Sequence, residues 1–116
     1  MEFAIVRTPA INYYSEFLDR ISEQNLTYSA SEAAHKMQFD SSEEMLTAVG
    51  RAMELCLSHG LSVSHNFMRV FKIYPHGIIC DWKLSELAYN LVQLNGNSSN
   101  PKVAELQIRV LKNNNF

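Results

Sequence analysis

Hydrophobic and polar positions along the 116-residue chain change period several times, and each change marks an element. The opening "EFAIVR" holds Phe3, Ala4, Ile5 and Val6 before a Thr-Pro stop, which predicts a short strand or extended arm within residues 1–10. In "INYYSEFLDRISE", Ile11, Tyr14, Phe17, Leu18 and Ile21 recur at helical spacing, with Glu16, Asp19, Arg20 and Glu23 turned away. That predicts an amphipathic helix ending at Asn25. Ser29 stands three residues before Glu32, a capping-box spacing in which each side chain satisfies an orphan backbone N–H, so a short helix is expected from Ala30 to Met37. Asp40 and Glu43 repeat the spacing ahead of the stripe Met45, Leu46, Val49, Ala52, Met53 and Cys56, and Gly60 supplies the stop.

From Met68 the pattern becomes extended. "MRVFKIY", the turn "PHG" and "IICDW" predict a β-hairpin with Arg69 and Lys72 on its outward face. Leu84, Leu87, Ala88, Leu91, Val92 and Leu94 predict another helix, "NGNSSN" a loop, and Asn100-Pro101 the cap and first position of a last helix. The tail at 113–116 is expected to fray. No repeat or linker interrupts the chain, and its length suffices for one hydrophobic core. The reading is α+β: a small single domain, 1–116, of four or five helices with one β-hairpin. Its core is drawn from Phe17, Leu18, Met45, Val49, Met53, Phe67, Phe71, Leu87, Leu91 and Leu111.

Composition narrows the class. Hydrophobic residues make up 47% and charges of both signs are present, as in globular proteins. No apolar run approaches the roughly 18 residues that cross a bilayer, and the N-terminus lacks a basic region followed by a long apolar stretch. A cytoplasmic protein without a membrane partner is expected. Cys56 and Cys80 read as reduced, packed thiols.

The net charge of −2 conceals an asymmetry. Residues 1–68 hold four Lys/Arg and nine Asp/Glu, whereas residues 69–116 hold six Lys/Arg and three Asp/Glu, so the halves carry −5 and +3. Phosphate contact depends on local charge, which a basic half can supply within an acidic chain. Arg69, Lys72, Lys83, Lys102, Arg109 and Lys112 are the candidate nucleic-acid contacts, forming one basic face if hairpin and last helix pack side by side. Asn95, Asn97, Ser98, Ser99 and Asn100 add candidate hydrogen bonds to phosphate or a base edge.

Other chemistry finds less support. Cys56-x2-His59 and His76-x3-Cys80 have finger-like spacing, but Cys56 belongs to a core stripe and the second pair flanks a turn, so no metal is expected. No G-x-S-x-G, CxxC or H-E-x-x-H occurs, and the four glycines are isolated from one another. Glu43 and Glu44 suit a helix N-terminus through the macrodipole. Neither catalytic residues nor a cofactor are assigned.

Four segments in one order resemble the DNA-damage-inducible protein D family, related to the Bro and KilA-type domains of phage antirepressors. These are "YSASEAAHKMQF", "AVGRAMELCLSHG", "VSHNFMRVFK" and "DWKLSELAYNLVQLNGNSSNPKVAELQ", together spanning residues 28 to 107. The resemblance implies a small bacterial or phage-derived α+β module, associated with nucleic acid, acting in transcriptional control or the DNA-damage response without a catalytic centre. It places Cys56 on the family's helix cysteine, hence in the core. One departure is Glu86 after Ser85, where the family usually carries a basic residue; family members also tend to be longer. The implied partner is DNA. The competing reading is a protein-binding module that modulates a DNA-bound repressor or recombinase filament through a patch including Tyr13, Tyr74 and Trp82, without touching nucleic acid. A monomer or homodimer is expected.

Overall fold

A computed structural model describes residues 2–5 and 25–113. Its elements are β1 (Glu2–Ile5), β2 (Tyr28–Ser29), α1 (Ala30–Met37), α2 (Ser42–Ser58), β3 (Phe67–Tyr74), β4 (Gly77–Leu84), α3 (Glu86–Leu94) and α4 (Pro101–Asn113). The strands form one antiparallel sheet in the order β1-β3-β4-β2, giving an α+β domain built on the expected hairpin. The helix expected at 11–23, with Phe17 and Leu18, lies outside the described residues, as does the tail after Asn113.

Helix starts follow from hydroxyl caps. Ser29 Oγ accepts from the Glu32 N–H at 3.1 Å and opens α1, and Gln38 ends it in the left-handed conformation at φ 55°. The second cap is one residue later than the sequence spacing suggested. Ser41, not Asp40, accepts from the Glu44 N–H at 3.1 Å, while Glu44 reaches back to the Asp40 N–H at 2.7 Å. Glu44 takes this role over Glu43 because it is turned inward, where its other oxygen accepts from the Asn97 N–H.

The core is unusually rich in small side chains. Ala30 and Ala33 of α1, Ala48 and Ala52 of α2 and Ala88 of α3 are fully buried, and they let three helices approach closely around Val49, Cys56, Val92, Phe67 and Leu84. Met45, Val49 and Phe67 fill the places expected of them, and Met53 and Leu91 pack at the rim. Leu46, Leu87 and Leu111 do not: all three are exposed, Leu111 at 53%. Each lies at the edge of an apolar arc wider than the face its helix buries, and alanines in α2 and α3 and Val103 in α4 occupy the centre instead. Phe71 is half-buried.

Gly96 determines how the α3–α4 loop closes. A β-carbon there would fall 2.5 Å from the Phe39 ring and 2.8 Å from a Val103 methyl. Phe39 follows α1 and Val103 is buried in α4, so this contact joins three parts of the chain. Gly96→Ala is expected to lower the free energy of unfolding by about 1–3 kcal/mol through overpacking, read from urea denaturation midpoints.

Candidate nucleic-acid interface

The six expected contacts divide into three groups. Strand side chains alternate between faces, and the register pairs Arg69 with Trp82 but Met68 with Lys83. Arg69 therefore lies on one face of the hairpin and Lys72 and Lys83 on the other. The shared outward face expected for Arg69 and Lys72 does not exist, because an odd separation along a strand reverses the side chain. Arg69 instead places its guanidinium 5.5 Å from the Phe71 ring centroid, two residues away on its own face.

Lys72 is engaged internally. Its Nζ lies 3.1 Å from Asp81 Oδ2, with Lys72 17% and Asp81 2% exposed. Asp81 also accepts from the Ser31 N–H at 3.1 Å, the Ser31 hydroxyl at 2.6 Å and the Trp82 N–H at 2.8 Å. An enclosed carboxylate with three hydrogen-bond donors and an ammonium partner is a structural joint. Lys83 borders the adjacent cleft of about 390 Å³, together with Lys72, Tyr28, Ser29, Ser31 and Glu32.

Lys102 and Arg109 do converge, joined by a residue from the acidic half. Lys36, in the last turn of α1, lines one groove of about 260 Å³ with Lys102, Arg109, Glu105 and Gln93. Lys102 and Arg109 stand on α4 seven residues apart, two turns on one side of the helix. Glu105 tempers the groove by pairing with Arg109 at 2.9 Å, an exposed i,i+4 bridge of small energetic weight. Lys36 Nζ sits 5.8 Å from the Tyr89 ring, which stacks on Tyr28 at 4.5 Å. Burial, and secondarily the Glu32 charge, push the Tyr89 hydroxyl above its ordinary pKa, so it remains protonated at neutral pH. Lys112 borders a neighbouring depression with Glu105, Ile108 and Arg109.

Sequence patterning missed Lys36 because charge was summed along the chain, and Lys36 sits among acidic residues. Its position in the last turn of α1, where a cation suits the helix dipole, was the available signal. The groove depends on Asn100, whose side-chain amide donates to the Met37 carbonyl at 2.9 Å and the Gln38 carbonyl at 3.2 Å. Its oxygen meanwhile caps α4 by accepting from the Lys102 N–H. Asn95 donates to Leu91, and Asn97 accepts from the Ser99 N–H and hydroxyl. These loop amides, expected to face phosphate or base edges, hold the loop itself.

A larger cleft of about 550 Å³ is lined by Asp40, Glu43, Glu44, Arg51 and Asn97, and its acidic rim repels phosphate. Among the described residues no group of three or more His, Cys, Asp or Glu is placed to hold a metal ion, and no helix is long and apolar enough to cross a membrane. In the proposed protein-binding patch, Trp82 packs against the core and Tyr74 is half-buried, stacked on His76 at 5.6 Å; Tyr13 is outside the described residues.

The fold and groove thus define a small α+β domain with a cation-lined channel between α1 and α4. Compared with family models, with curated proteins and with solved structures, the chain matches none.

The two thiols differ. Cys56 is fully buried and burial raises its pKa, whereas Cys80 is half-buried on β4. A chromogenic disulfide reagent at pH 8 is expected to modify Cys80 in the native protein and to reach Cys56 only after denaturation. Cys80→Ser should therefore remove the native-state reaction.

Proposed function

We propose that this domain is a non-enzymatic, DNA-associated regulatory module that docks on the phosphate backbone through Lys36, Lys102 and Arg109. The carrying observation is their convergence on one groove against a single carboxylate. Lys112 extends the basic edge, and Lys83 supplies a second, separate contact beside β2. The proposal leaves out Arg69, which lies on the hairpin face opposite Lys83, and Lys72, which pairs with Asp81. Such contacts confer affinity and orientation without reading sequence. The resemblance of residues 28–107 to the DNA-damage-inducible protein D family supports a role in the DNA-damage response or phage-type transcriptional control, in the cytoplasm.

A second reading rests on the hairpin tip. Residues 73–80 carry no Asp, Glu, Lys or Arg, and Ile73, Ile78 and Ile79 are exposed there. An uncharged apolar tip suits a protein partner such as a DNA-bound repressor or a recombinase filament.

Fluorescence anisotropy with labelled single- and double-stranded DNA at several salt concentrations separates these readings. The three groove contacts on duplex predict a slope of log affinity against log salt at least as steep as about −2.7, roughly −0.9 for each contact, and Lys112 and Lys83 steepen it toward about −4.5. Lys36→Glu, Lys102→Glu and Arg109→Glu should each weaken binding and reduce that slope by about one unit, whereas Ile79→Lys should not. Absence of binding at low salt, or binding indifferent to salt, would overturn the phosphate mechanism. If Ile79→Lys abolishes co-sedimentation with a recombinase filament while Lys102→Glu and Arg109→Glu leave it intact, the protein-binding reading replaces it.

A further inference from the structure

Helix α4 carries an apolar stripe that the described residues leave largely open. Val103 is the buried residue of α4, and Gln107 is tied to the Leu94 carbonyl at 2.9 Å, so this side of the helix faces inward. Ala104, Ile108 and Leu111 recur at intervals of four and three along another side, the spacing of a helix-pairing seam. Ile108 and Leu111 are 54% and 53% exposed. The centre of the seam lies roughly 140° around the axis from Lys102 and Arg109, at about 100° per residue, and only its Ile108 edge borders the depression that Arg109 and Lys112 line.

We infer that this seam pairs with the same seam of a second copy of the chain, with the two α4 helices antiparallel. Charge placement selects both partner and direction. Glu105 and Lys112 lie seven residues apart on one edge of the seam, and a two-fold axis crossing near Ile108 sets Glu105 of each copy against Lys112 of the other. The interface thus gains two opposite-charge contacts from one sequence. A parallel pairing would face the same charges with the uncharged Asn100 and Gln107 and gain neither. Within one copy Glu105 bonds Arg109 at 2.9 Å, on the side away from the seam, and in the dimer this exposed carboxylate exchanges that partner for Lys112 of the second copy. Three helical turns provide less than a standard interface of roughly 1,200–2,000 Å², so the dimer dissociates on dilution. The inference does not depend on nucleic-acid binding, because its apolar seam is separate from Lys36, Lys102 and Arg109, although Glu105 and Lys112 border both surfaces.

Sedimentation equilibrium across a concentration series, without DNA, tests it. The chain should show a reversible monomer–dimer equilibrium, and Leu111→Glu, a change at an exposed position, should leave a folded monomer by circular dichroism. Glu105→Lys and Lys112→Glu should each weaken the dimer about tenfold by opposing like charges, and the double exchange Glu105→Lys/Lys112→Glu should restore it. A chain that remains monomeric up to millimolar concentration overturns the proposal. So does a dimer abolished by Ile79→Lys and indifferent to Leu111→Glu, which would place the interface at the hairpin tip. Failure of the double exchange to restore the dimer overturns the antiparallel register. Loss of DNA binding with the dimer intact would refute the groove alone.

Discussion

A carboxylate withdrawn from water in a small domain is tolerated only if its charge and lone pairs are met, and Asp81 meets that condition by joining elements distant in sequence. Lys72 reaches it from the neighbouring strand, and Ser31 supplies both its amide and its hydroxyl from the first turn of α1, fifty residues away. The negative charge also sits at the positive end of the α1 dipole. The N-terminus of α1 is thereby attached to the hairpin, while Asn100 attaches its C-terminus to the start of α4. Between these two attachments Ala30 and Ala33 settle against α2 and α3, and Lys36 is carried to the side of α4. The groove is therefore a consequence of how both ends of α1 are tied.

Much of the fold was legible in local chemistry. The bounds of α1, the hairpin with its turn at Pro75 and His76, and the start of α4 at Asn100-Pro101 follow from caps, period and proline position. These signals are local, and local signals survive packing. Burial was less legible because hydrophobicity marks an arc and packing selects part of it. Periodicity predicts Leu87 and Leu111 in the core, yet alanine and valine fill the centre, where helix backbones approach closely. Gly96 carried no sequence signal, since the Phe39 ring beside it lies 57 residues away.

The candidate interface was legible only in part, and the reason is electrostatic. Counting cations along the chain treats each as available, whereas a folded domain uses some of them to neutralise buried carboxylates. Lys72 is such a case, and only its diagonal relation to Asp81 across the hairpin reveals it. Conversely, Lys36 lies in a stretch of negative sum yet joins Lys102 and Arg109 through tertiary packing. Local potential acts on a phosphate within about 10 Å at 0.1 M salt, so the immediate neighbours of a groove matter more than the net charge of −2.

The central claim is that the Lys72–Asp81 pair is an internal joint and thus unavailable to a ligand. A double-mutant cycle with Lys72→Met, Asp81→Asn and the combined variant, read by urea unfolding, isolates the pair from the other bonds of Asp81. The account predicts a favourable coupling of at least about 1 kcal/mol, with Lys72→Met alone costing more than the same change made in the Asp81→Asn background. Additive effects, with coupling near zero, would contradict it and return Lys72 to the set of cations available for phosphate.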